Sequence, residues 1–148
     1  MKDTSTLTGN GIRTGAQYIS GLQDDREIWT MGKRIKDVTV EPGMSRGVSS
    51  LAGFLDKQHD KKYQDKVTYV DEDGIRCPLS FKTPTSKQDI LDRGKAYYEW
   101  ATWSHGMFGR TPDYKNASLM SFSAARSFLD KGTVGSADFS KNMLNFYN

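Results

Sequence analysis

Apolar positions along this chain change period several times, and each change predicts an element. Ala16, Ile19 and Leu22 fall at helical spacing, so a short helix is expected from Thr14 through Leu22. Residues 27–38 alternate around Met31-Gly32 and predict a small hairpin. Pro42-Gly43 marks a turn, after which Val48, Leu51, Ala52 and Leu55 share one face of a helix over Ser45–Gln58. Val67–Val70 and Ile75–Phe81 read as strands flanking the turn Asp71-Glu72-Asp73-Gly74. Ser86 is a good N-cap for the longest helix, with Asp89 helping its first turn. That helix is expected to reach Phe108, with Ile90, Gly94, Tyr97, Ala101, His105 and Phe108 on one stripe and Gly106 and Gly109 ending it.

A further helix is expected from Pro112 to Asp130. Its small residues Ala117, Ser118, Ser121, Ser123, Ala124 and Ala125 would let a helix or a flat ligand approach closely. After a Gly-containing loop at 131–137, Asp138 or Ser140 starts a last helix with Phe139, Met143, Leu144, Phe146 and Tyr147. Ending on an apolar-aromatic run without a stop signal, that segment suggests the N-terminal piece of a longer protein. Residues 1–13 are polar and are expected to be loose.

At 148 residues the chain is the size of one domain. A mean hydropathy of −0.68 is low for a self-sufficient globule, yet three Trp, seven Tyr and seven Phe argue against disorder. Part of the apolar surface is therefore expected to pack on something else. Basic and acidic residues are interspersed and the net charge is only +3, which argues against a nucleic-acid patch. Cys77 is the single cysteine, so neither an internal disulfide nor a multi-thiolate metal site can form within the chain. It fits a reducing compartment. No apolar run approaches the roughly 18 residues of a membrane span. The N-terminus lacks the apolar core of a signal peptide, and the expected location is the cytoplasm.

The most informative stretch is Gly109-Arg110-Thr111-Pro112-Asp113-Tyr114-Lys115-Asn116. Thr111 suits an N-cap, Pro112 the first helical position, and Asp113 the positive end of the helix dipole. Arg110 and Tyr114, four residues apart, would reach the same volume near the helix start. A cation, a phenolic donor and a helix N-terminus together favour an anion or a developing oxyanion. The plain alternative is an Arg pairing with Asp113 and a core Tyr.

This segment resembles the signature of the flavin-dependent 4-hydroxyphenylacetate 3-monooxygenases, oxygenase component. The likeness extends in the family's order through Ile12–Ile19, Arg26–Val38 with Trp29 and Gly32, Leu55–Asp60, and Ser80–Ile90, covering roughly residues 12–129. Gly106-Met107-Phe108-Gly109 is similar to the family's glycine-rich approach to the motif. The resemblance implies a mainly α domain with small β-hairpins, the N-terminal helical domain of an acyl-CoA-dehydrogenase-like architecture. Residues 14–148 would form that domain, and the family's β-barrel and C-terminal helical bundle would lie outside this chain. The activity implied is ortho-hydroxylation of a phenol to a catechol with O2 and FAD, used as FADH2 and supplied by a separate NAD(P)H flavin reductase. A homotetramer of full-length chains is implied as well, and the isolated piece is expected to be inactive.

By the same resemblance Arg110 and Tyr114 carry catalysis and bind the substrate hydroxyl, in a pocket that includes Thr111, Pro112 and Asp113, whose own roles read as structural. A fixed cation and hydrogen-bond donors would stabilise phenolate-like charge. No flavin-contacting residue is assigned, and no metal ligand. His105, on the apolar stripe, and His59, in the Gln58-His59-Asp60 stretch, read as structural histidines. Tyr97, Tyr98, Trp100 and Trp103 read as core or subunit-contact aromatics. The rivals are the related 4-hydroxybutyryl-CoA dehydratase branch, whose iron–sulfur cluster needs cysteines absent from this motif, and a non-enzymatic helical interaction module.

Overall fold

A computed structural model of the chain describes residues 11–107, 112–131 and 138–147. Residues 1–10, 108–111, 132–137 and 148 lie outside the described residues, as do the side chains of Pro112, Asp113, Asp130 and Lys131. The elements are α1 (Gly15–Ser20), β1 (Ile28–Thr30), β2 (Lys33–Ile35), α2 (Ser45–Lys57), α3 (Gln64–Val67), β3 (Thr68–Val70), β4 (Arg76–Pro78), α4 (Lys87–Trp103), α5 (Pro112–Ala124) and α6 (Phe139–Tyr147). Single 3-10 segments occupy Leu79–Phe81 and Arg126–Lys131. The mainly helical class with two small hairpins is the one expected. The chain divides into two compact units, residues 1–65 with 70–76 and residues 66–69 with 77–148.

In the first unit, Thr14 closes a capping box. Its hydroxyl accepts from the Gln17 amide at 3.2 Å, and the Gln17 side chain accepts from the Thr14 amide at 2.8 Å. α1 packs directly on α2 because Gly15 brings no side chain to the contact. Its amide donates to Asp56 Oδ1 at 2.7 Å, and a Cβ there would stand 2.6 Å from the Ala52 carbonyl oxygen. The core is Ile35, Val38 and Val48, covered by Tyr18, Ile19, Leu22, Ile28 and Met44. The hairpin β1–β2 pairs Ile28 with Ile35, Trp29 with Arg34 and Thr30 with Lys33. Its two-residue turn needs positive φ at both positions, which Met31 (47°) and Gly32 (74°) supply. The β3–β4 turn is tied by Asp71, whose Oδ1 accepts from Asp73 at 3.0 Å and Ile75 at 2.8 Å.

The second expected hairpin is shorter than its apolar pattern suggests. Val67 ends α3 instead of opening a strand, and it is 1% exposed. The second strand stops at Pro78, which has no amide to continue a ladder, and the chain tightens into the 3-10 turn.

That 3-10 turn is the hub of the second unit. Ser80 Oγ accepts from Asn116 of α5 at 3.2 Å, the Phe81 carbonyl accepts from Tyr147 of α6 at 2.5 Å, and the Lys82 carbonyl accepts from Arg93 of α4. Val67, Leu79 and Ala96 form the core, with Tyr69 and Trp103 against it. Ser86 and Asp89 make a reciprocal cap on α4, and Lys82 pairs with Asp89 at 2.6 Å. Asp138 caps α6 through the Lys141 amide at 2.8 Å.

Two helix ends also depart from expectation. The helix expected to run from Pro112 to Asp130 is α-helical only to Ala124 and tightens into the 3-10 segment from Arg126. α4 ends at Trp103, not Phe108. Gly106 donates to the Ala101 carbonyl at 2.9 Å and His105 to Thr102 at 3.4 Å, a Schellman closure with His105 in the left-handed position (φ 51°). The buried face of α4 is Ala96 and Trp100, one residue out of phase with the expected stripe, on which Ile90 and Gly94 are exposed. The pattern misleads because α4 carries aromatics around most of its circumference.

Candidate functional site

The candidate site lies on α5. At about 100° per residue, Asn116, Met120 and Ser123 form one stripe of this helix, and Tyr114, Ser118 and Ser121 form the opposite one. The Asn116 stripe packs inward: Met120 and Ser123 are each 3% exposed, and Asn116 bonds Ser80. The Tyr114 stripe faces outward. Tyr114 (53% exposed), Ala117, Ser118, Ser121 and Phe122 line, with Tyr97 of α4, an open groove of ≈ 380 Å³.

The chemistry of the groove is mostly apolar. The Ser118 hydroxyl donates to the Tyr114 carbonyl at 3.0 Å and the Ser121 hydroxyl to the Ala117 carbonyl at 2.8 Å, so both turn back on their own helix. What remains toward the groove is three aromatic side chains, Tyr97, Tyr114 and Phe122, together with small residues of α5. Lys115 Nζ stands 5.8 Å from the Tyr114 ring centroid and adds positive charge beside it. Unlike the hydroxyls of Ser118 and Ser121, that of Tyr114 is not turned back on its own helix, so the groove combines apolar rings with a phenol.

The structure thus presents Tyr114 at the start of a helix that begins at Pro112, in agreement with the sequence. Arg110, Thr111 and the side chains of Pro112 and Asp113 lie outside the described residues, as does the approach at Phe108-Gly109. Met107, which precedes it, is 65% exposed. His105 is exposed at the end of α4, so its place on a buried stripe is corrected. His59 is exposed as well and lines a different pocket, with Gln64, Ile75 and Arg76. Of the four aromatics on α4, Trp100 is core, 2% exposed and edge-on to Trp103 with 5.1 Å between centroids. Tyr98 is 73% exposed, and Tyr97 belongs to the groove. Tyr97 and Phe122 line the groove and were not among the sequence candidates. Phe122 was recoverable, since it stands eight residues beyond Tyr114 on a helix; Tyr97 was not, since only packing brings α4 alongside. Among the described residues no group of three or more His, Cys, Asp or Glu could hold a metal ion.

The helix-rich architecture with two small hairpins is of the acyl-CoA-dehydrogenase-like class. The chain belongs to the family described as 4-hydroxyphenylacetate 3-hydroxylase N terminal, whose model matches residues 14–148. It is 37% identical over 136 residues to the 4-hydroxyphenylacetate 3-monooxygenase oxygenase component of Thermus thermophilus, covering 91% of this chain and 27% of the relative. A crystal structure of such an oxygenase component complexed with FAD and 4-hydroxyphenylacetate superposes with a TM-score of 0.81 at 38% identity, over 91% of this chain and 27% of that one. An archaeal 4-hydroxybutyryl-CoA dehydratase from N. maritimus shares the fold at TM-score 0.72 and 17% identity, over 92% of this chain and 26% of that one. The chain therefore spans about a quarter of the length of the relatives it matches.

Proposed function

We propose that this chain is the N-terminal helical domain, residues 14–148, of a two-component aromatic monooxygenase that converts a phenol such as 4-hydroxyphenylacetate to its catechol with O2 and FADH2. The observation that carries this reading is Tyr114, presented at the mouth of an aromatic groove at the start of α5, in a chain of this family. An apolar groove lined by three aromatic side chains suits a phenol ring. The flavin, when bound and reduced, supplies the activation of O2. This chain's own part is to bind the phenol and hold its hydroxyl: Tyr114 donates to the substrate oxygen, and Arg110 stabilises the charge that grows on it as the ring becomes nucleophilic. Thr111, Pro112 and Asp113 shape the helix start that carries both.

A separate NAD(P)H flavin reductase supplies the FADH2 as the second component. By the same resemblance the longer protein is a cytoplasmic homotetramer, and residues 14–148 alone do not turn over substrate. The dehydratase reading is disfavoured on ligand grounds, because Cys77 is the sole thiol this chain could offer a cluster.

The test is mass spectrometry of the product. The complete reading frame is supplied with 4-hydroxyphenylacetate, O2 and enzymatically reduced FAD. A product heavier by one oxygen atom supports the proposal; bound flavin with no oxygenated phenol overturns it.

A further inference from the structure

α5 presents a physical puzzle. Its apolar residues Ala117, Leu119, Met120, Phe122 and Ala124 are spread around the helix, so burial alone gives it little preference for one rotation about its axis. Yet the candidate site depends on that rotation, because Tyr114 must face the groove. Among the described residues, Asn116 is the polar side chain of α5 that hydrogen-bonds another element, with Nδ2 donating to Ser80 Oγ at 3.2 Å. Ser80 is 1% exposed, in the 3-10 turn that also receives Tyr147 of α6 and is followed at once by the Lys82 carbonyl that receives Arg93 of α4. The acceptor is therefore fixed from several sides. Asn116 and Tyr114 are two residues apart, about 200° around the helix, so directing one at Ser80 directs the other away from it.

We propose that Asn116 is a positioning residue: its bond to Ser80 sets the rotation of α5 and so holds Tyr114 in the groove. The significance for a phenol rests on the function proposed above; the positioning itself does not. A half-buried amide tied to a buried hydroxyl selects one of several packings of similar apolar energy, because any other rotation gives up the bond and leaves Ser80 without it.

The experiment places 3-fluorotyrosine in the 148-residue chain and follows the Tyr114 19F resonance, assigned with Tyr114→Phe. Asn116→Leu removes the bond at nearly constant volume. It is expected to leave a cooperative melt and to shift or split the Tyr114 signal. Asn116→Asp keeps the contact with Ser80 as donor and is expected to restore the wild-type signal. A wild-type Tyr114 signal in Asn116→Leu overturns the proposal. Should Asn116→Leu not fold, Ser80→Ala replaces it, with the same change expected and an unchanged signal again overturning the proposal. In the complete reading frame the Leu variant is expected to lose about tenfold in kcat/KM for 4-hydroxyphenylacetate, equivalent to one neutral hydrogen bond. If the 19F signal moves while the wild type oxygenates no phenol, the positioning stands and the functional reading falls.

Discussion

Lys82 Nζ and Asp89 Oδ1 lie 2.6 Å apart, and the same carboxylate accepts from the Ser86 hydroxyl at 2.8 Å and the Thr85 amide at 3.0 Å. One side chain thereby joins the 3-10 hub to the first turn of α4. The Lys82 ammonium, first, and then the Ser86 hydroxyl and Thr85 amide, hold the Asp89 carboxyl far below its ordinary 3.8. A carboxyl depressed on folding contributes stability above its unfolded pKa, and this is lost as pH falls from 3.8 toward the native value. Asp89→Asn is therefore expected to melt below the wild type at pH 7, with the gap closing below about pH 4. Circular-dichroism melts across this range check it; a gap that is constant with pH would show that charge is not the cause.

Gly15 and Gly94 should respond oppositely to alanine. At Gly15 a Cβ meets the Ala52 backbone at 2.6 Å, so α1 and α2 must part, at a cost of about 1–3 kcal/mol. At Gly94, inside α4, a Cβ meets nothing within 4 Å, and alanine is expected to stabilise by about 0.5–1 kcal/mol. Urea unfolding of both variants gives the comparison directly.

Met31 is 98% exposed and held at φ 47° in the β1–β2 turn. It makes no packing contribution there and carries the strain of a left-handed non-glycine residue. Met31→Asn converts the turn to Asn-Gly and is expected to raise stability by about 1 kcal/mol. An unchanged melting temperature would mean that the hairpin tip has no part in the cooperative unit.

Tyr114→Phe keeps the ring in the groove and removes the donor. In the complete reading frame, loss of one transition-state donor is expected to lower kcat about 10²–10³-fold. The measurement is catechol formation under saturating phenol. A fall in affinity alone would make Tyr114 a binding group without a part in catalysis.

Much of this architecture was legible in local sequence because local physics decides it. Ser86 with Asp89 caps α4, Asp71 to Gly74 can only be a turn, and Pro112 opens α5 at a position that does not need the N–H proline lacks. The capping box of Thr14 and Gln17 was equally local. The signature from Gly109 to Asn116 identified the family because its residue types and order are specific.

Tertiary structure decided what local preference leaves degenerate. Aromatics all around α4 offered two faces, and the packing of Ala96 and Trp100 into the core chose one, leaving Ile90 in solvent. His105 took the left-handed position that glycine usually holds, because the closure of α4 places that position one residue before Gly106. Tyr97 entered the groove only when α4 and α5 came together. The rotation of α5 was set across the fold by Asn116 and Ser80, a contact between residues 36 apart. Sequence determined where helices start and turn and which family they serve, since caps, turns and motifs are short-range. Which face of each helix meets the core is a long-range choice, made by the energy of packing the whole.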